Sequence, residues 1–167
     1  MSRILGGAVT AAVEGSFVVF LIGLRCNGWR HVVRWWRARR AMDDMLRELR
    51  QDPASGLISY ERWRGNPSLI VQYWRSFEQL EKWARARGGS HRAVWTDYGR
   101  SIGHGGGVGV WHETYVVEPG SWEAVYNNMP PIGLGRIVPP VPATGRRATA
   151  SGRLRSAAAG PAQPARP

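Results

Sequence analysis

The chain has 167 residues, 43% of them hydrophobic, with nine tryptophans and a formal charge of +11. That is enough for one domain with a sizeable core plus tails. The lone cysteine, Cys26, excludes an intrachain disulfide framework and a cysteine-based zinc site, and it fits a reducing, cytoplasmic location.

Residues 1–13 read as an N-terminal segment ahead of a domain over 14–126. Ile4 to Leu24 is long enough to cross a bilayer, but Glu14 lies at its centre, where a charge costs about 2.5–3.5 kcal/mol on insertion scales. Gly6, Gly7, Gly15 and Gly23 interrupt it further, so no membrane insertion is expected. The apolar run Phe17 to Ile22 is strand length, rich in β-branched and aromatic residues and bounded by Gly15 and Gly23. Arg25 to Trp35 is a connection carrying a tryptophan–arginine cluster.

From Trp36 to Gln51 the spacing predicts a helix. Ala38, Met42, Met45, Leu46 and Leu49 recur at three- and four-residue steps, arginines fill much of the other side, and Pro53 and Gly56 end it. Leu57–Trp63 and Leu69–Trp74 form a hairpin around Gly65-Asn66-Pro67. Ser76 caps a helix from Phe77 to about Arg87, with Gln79 as its capping-box partner, and Gly88-Gly89 ends it. His91, Trp95 and Tyr98 share one face of a short helix that begins at Ser90. The glycines of 103–107 lead into a strand, not a helix N-terminus, and no Lys-Ser or Lys-Thr follows, so a phosphate loop is excluded.

Val108 to Val117 is the next strand, followed by the turn Glu118-Pro119-Gly120 and a short strand over Trp122–Tyr126. Residues 127–142, rich in Pro and Gly, read as an ordered extension. Residues 143–167 read as a disordered basic tail, because Ala, Gly, Pro and Arg offer little apolar surface to offset ordering entropy. Arg146, Arg147, Arg153, Arg155 and Arg166 put five positive charges there and no acid. Such charge permits nonspecific contact with nucleic acid or an anionic membrane, but no specific nucleic-acid role is expected.

The order strand, helix, strand, strand, helix, strand is the α+β, ferredoxin-like split βαβ arrangement, with helices on one face of an antiparallel sheet. In the last strand Val108, Val110, His112, Thr114 and Val116 point one way, and Gly109, Trp111, Glu113, Tyr115 and Val117 the other. Neither set is uniformly polar, as one face in water would require. A homodimer packed sheet against sheet is the simplest cover.

The phrases Tyr73-Trp74-Arg75-Ser76-Phe77-Glu78-Gln79-Leu80-Glu81, Gly109-Val110-Trp111-His112-Glu113-Thr114-Tyr115 and Tyr126-Asn127-Asn128-Met129-Pro130-Pro131 resemble a family of small monooxygenase-like proteins, largely of unknown function. The resemblance spans about Thr10 to Pro142. That family sits in the dimeric α/β-barrel superfamily beside the antibiotic-biosynthesis monooxygenases, and one relative is assigned to fumagillin-type terpenoid biosynthesis. The resemblance implies a dimeric barrel and a monooxygenase acting without metal or flavin on a small apolar or aromatic metabolite. The same superfamily leaves open a haem-dependent dehydratase or haem-degrading enzyme, with His91 or His112 as axial ligand, and a non-catalytic ligand-binding protein.

His112 and Glu113 are the candidate acid–base residues. As strand neighbours they face opposite sides, so only one can serve a given pocket. The size of their companions favours Trp111, Glu113 and Tyr115 as the barrel-facing set, with Gln72 and Trp74 beside them, while His112 lies under the helices; a one-residue register shift reverses this. His91 and Trp95 are further candidates for a pocket mouth. The histidines show no metal-ligand spacing, so no metal is expected.

Overall fold

The computed structural model describes residues 4–85 and 106–158, which fall into two compact units: Val18–Tyr115, and the segments up to Phe17 and from Val116 onward. The first unit carries β2 (Phe17–Cys26, entering from the preceding segment), α1 (Val32–Gln51), β3 (Leu57–Trp63), β4 (Ser68–Trp74), α2 (Phe77–Arg85) and β5 (Val108–Val117). The second carries β1 (Leu5–Thr10), β6 (Tyr126–Met129), β7 (Val141–Pro142) and α3 (Ala150–Ala158).

In the first unit the sheet order is β3-β4-β2-β5, with β4 antiparallel to both of its neighbours. The first and third strands of the motif are therefore central and the second and fourth form the edges, which is the ferredoxin-like arrangement expected from the element order. The core forms where the apolar stripe of α1 meets one face of this sheet. Val18, Ile22 and Leu24 of β2 and Ile70 and Trp74 of β4 pack with Met42, Met45, Leu46 and Leu49 of α1, Leu80 of α2 and Val108 of β5. Burying each such side chain stabilises the fold by about 1.5–3 kcal/mol. Ser76 caps α2 as expected, its Oγ accepting the Gln79 backbone N–H at 3.3 Å.

Two boundaries differ from the sequence reading. β2 runs through Gly23 to Cys26, because this glycine is a place of close approach inside a strand rather than its end. The Asn66 side chain holds that far end, accepting from Cys26 N at 3.0 Å and donating to Cys26 O at 3.1 Å. α1 begins at Val32, after a 3-10 turn over Trp29–His31, with no side-chain cap to announce it.

The second unit is a three-stranded sheet of order β6-β1-β7. Its strand β1 lies inside the segment read as a mere N-terminal extension. Gly7, at φ 76°, falls in the bulged stretch where the register with β6 shifts between Leu5 and Ala8. The short strand placed over Trp122–Tyr126 begins only at Tyr126. Of the tail expected to be disordered, 159–167 lie outside the described residues, and 143–158 instead form a 3-10 turn, Gly145–Arg147, and the helix α3. Charge pairing, not apolar burial, holds it: Arg153, with a side chain only 9% exposed, reaches Glu123 Oε2 at 2.6 Å and donates to the Arg147 and Ala148 carbonyls. Among the described residues no helix is long and apolar enough to cross a membrane.

Candidate active site

The antiparallel register fixes which side chains share a face. Phe20 pairs with Gln72, Ile22 with Ile70 and Val18 with Trp74, so these residues all point toward the helices. The β5 residues His112 and Thr114 join them at the edge of the sheet. Between this face and α1 and α2 lies a cavity of about 640 Å³. Its floor is Phe20, Ile22, Ile70 and Gln72, and α1 closes it with Met42, Met45, Leu46 and Leu49. From α2, Phe77, Leu80, Trp83 and the Glu81–Arg85 pair complete the wall. That pair is an i, i+4 ion pair at 2.8 Å.

The lining is therefore largely apolar with a few fixed polar groups, the usual make-up of a small-molecule site. One of these is Gln72. It is 3% exposed, and its Oε1 accepts the indole N–H of the fully buried Trp74 at 2.9 Å. The Trp74 ring lies 5.5 Å from that of Trp83, tilted by 40°. His112 lies at the open side, its ring 5.6 Å from Phe20. Among the described residues it is the one imidazole on the cavity wall, a side chain that can act in proton transfer or ligate a haem iron.

The candidate site residues thus divide between two faces. Gln72, Trp74 and His112 come together on the helix-covered face. Trp111, Glu113 and Tyr115 lie on the opposite face, where Tyr115 is half exposed and its hydroxyl donates to Glu113 Oε2. That hydrogen bond to a carboxylate holds the Tyr115 hydroxyl above the ordinary tyrosine range. The expectation that Gln72 and Trp74 stand beside Trp111, Glu113 and Tyr115 is corrected. Pairing with Phe20 and Val18 gives them the helix-facing parity, which side-chain size could not reveal. His91 and Trp95 lie outside the described residues.

Sequence reasoning missed the cavity's other walls. Met42, Met45, Leu46 and Leu49 are legible as a helical stripe and Phe20 as part of an apolar strand, but neither pattern distinguishes a cavity wall from closed core. The i, i+4 spacing of Glu81 and Arg85 was the available signal for the pair at the rim.

Comparison with known proteins agrees with this architecture. A crystal structure of aldoxime dehydratase superposes with a TM-score of 0.63 at 22% identity, over 80% of this chain and 41% of that one, a likeness of fold. The curated protein monooxygenase af470 of Aspergillus fumigatus is 33% identical over 137 residues, 74% of this chain. The chain spans 46% of that protein's length. The sequence pattern of the monooxygenase af470-like family matches residues 17–134, from the start of β2 to beyond β6. The chain belongs to the monooxygenase af470-like family.

Proposed function

We propose that this protein is a monooxygenase that binds a small apolar or aromatic molecule in the cavity between the sheet and helices α1 and α2, with His112 as the general base. One observation carries the reading: among the described residues a single imidazole, that of His112, stands on the wall of a mostly apolar cavity of about 640 Å³. Neutral His112 accepts a proton from an acidic C–H or O–H of the substrate. The electron-rich anion that results forms a C–O bond with dioxygen, the His112 imidazolium returns its proton to the peroxide, and loss of water leaves one oxygen on the substrate as a carbonyl, so no metal or flavin is required. The Gln72 amide, held by Trp74, orients a polar group of the substrate, and the methionine and leucine wall of α1 keeps bulk water from the anion.

The reading moves the base from Glu113 to His112. A catalytic Glu113 would need the opposite sheet face enclosed, and a second copy of the chain packed there would do so. Trp63 and Tyr115, each 50% exposed on that face, support a dimer of this kind. The cytoplasmic location belongs to the same proposal and rests on Cys26 alone.

Oxygen uptake, screened over enolisable and phenolic compounds, tests the assignment. His112→Ala abolishes uptake with the fold retained, and Glu113→Gln leaves it within about twofold. Loss of uptake in Glu113→Gln with an active His112→Ala would return the base to the other face.

A haem-dependent dehydratase is the second reading, favoured because the same imidazole could serve as an axial ligand in a cavity of this size. A Soret band that appears on adding haem to the purified protein and is lost in His112→Ala would select it.

A further inference from the structure

Away from the cavity, the start of α1 and the turn before it present apolar side chains to water. Trp29 is 81% exposed, Val32 51%, Val33 60% and Trp36 53%. The steps of three and four between them place all four along one side of the helical path. The inward stripe of α1 is a different one, and its buried residues begin only at Met42. These exposed side chains therefore do not serve the core of the unit.

The same stretch is strongly basic. Between Arg25 and Met42 there are six arginines and no acid. Arg30 stacks over the Trp29 ring at 5.3 Å and Arg40 over the Trp36 ring at 5.1 Å. Arg37 lies exposed between them. Indole and isopropyl groups beside guanidinium groups form a surface whose partner must accept both apolar bodies and positive charge.

Three partners can be compared. A second copy docked through a twofold axis would place this patch on itself, arginine against arginine. Nucleic acid would use the arginines, but Val32 and Val33 have no phosphate to meet, and guanidinium groups already cover a face of each exposed indole. An anionic bilayer surface satisfies every component: arginines meet lipid phosphates and carboxylates, indoles sit at the headgroup level, and the valines reach the acyl boundary. We propose that the Trp29–Arg40 face docks on an anionic phospholipid surface, lying on the membrane rather than spanning it. This proposal does not rest on the catalytic reading, and its test involves no turnover.

The experiment is co-sedimentation of the full chain with vesicles of phosphatidylcholine alone and with vesicles of equal parts phosphatidylcholine and phosphatidylserine, followed also by tryptophan emission. Binding to the mixed vesicles only, with a blue shift and with loss at high salt, is expected. Each arginine near an anionic surface contributes about fivefold to partitioning, so Arg37→Glu with Arg40→Glu weakens binding by at least about 20-fold. Trp29→Ser with Trp36→Ser removes the blue shift and most of the binding. All four positions are exposed, so circular dichroism of both variants stays that of the parent; should one pair misfold, the other decides. Equal binding to both vesicles, no binding to either, or unchanged binding of a folded variant would overturn the proposal, the last by moving the contact to other arginines. Retention on duplex DNA without binding to the mixed vesicles would overturn it in favour of nucleic acid.

Discussion

The indole of Trp111 occupies the space above Gly23: a Cβ built at Gly23 would overlap the indole Nε1 and come within 2.7 Å of Cε2. The contact joins β5 to the middle of β2 on the face away from the helices. It also explains why a glycine sits inside a ten-residue strand. Gly23→Ala should destabilise the protein by about 1–3 kcal/mol, the usual range for overpacking. In Trp111→Ala the same alanine should cost far less, since the obstructing ring is gone. Urea denaturation of the four proteins of this cycle checks it, and a zero coupling energy would mean that Trp111 moves aside freely.

Gln72 and Trp74 form a buried polar pair on the cavity side of β4. Gln72→Leu keeps the size of the side chain but leaves the Trp74 indole N–H without an acceptor in a site that water does not reach. A loss of about 1–3 kcal/mol is expected from the unsatisfied donor. Trp74→Phe in the Gln72→Leu background should recover part of it, because both polar partners are then absent. Equilibrium unfolding of the single and double variants measures the difference.

The order of α3 depends on Arg153. Its ion pair with Glu123 at 2.6 Å is largely sheltered on the arginine side, and the same guanidinium satisfies carbonyls at Arg147 and Ala148. Arg153→Met should remove about 1.5–3 kcal/mol from this local structure, as expected for hydrogen bonds to a charged group. Glu123→Gln should cost less, because that carboxylate is a third exposed. Amide hydrogen exchange resolved to residues 150–158 reads this directly, since helix opening accelerates exchange there before global unfolding.

Tyr126 supplies an alkaline prediction. Burial raises its hydroxyl above the ordinary tyrosine value, and the Gly135 N–H that donates to its oxygen at 2.9 Å only partly offsets this. The unfolded chain ionises this group at about pH 10. Its contribution to stability is therefore complete below that pH and is lost as pH rises through the higher folded value. Tyr126→Phe should flatten that part of the stability profile. Denaturation curves collected between about pH 8 and about pH 12 test it.

The parts of this fold written in repeating patterns were legible in the sequence. The stripe from Ala38 to Leu49 specified α1, and the order of six elements specified the ferredoxin-like unit. The misread parts lacked a local pattern. Gly23 resembles a strand end until Trp111, far along the chain, is placed over it. The two glycines of β1 resemble a linker until β6 and β7 pair with it, and α3 carries few apolar residues because Arg153 does the anchoring. The candidate site was half legible. His112 and Glu113 stood out by chemistry, but which residues share a face with each is set by strand pairing, with β5 beside β2 and β2 paired in turn with β4. That parity also separates Gln72 and Trp74 from Glu113, and side-chain size gave no information about it.

The central claim is that small molecules bind on the His112 side of the sheet and not on the Glu113 side. A crystal structure of the protein soaked with a naphthol tests it most directly. The account predicts the aromatic rings among Phe20, Met45 and Ile70, with the hydroxyl within hydrogen-bonding distance of His112. A naphthol seated against Trp111, Glu113 and Tyr115, with the helix-covered cavity unchanged, would contradict it.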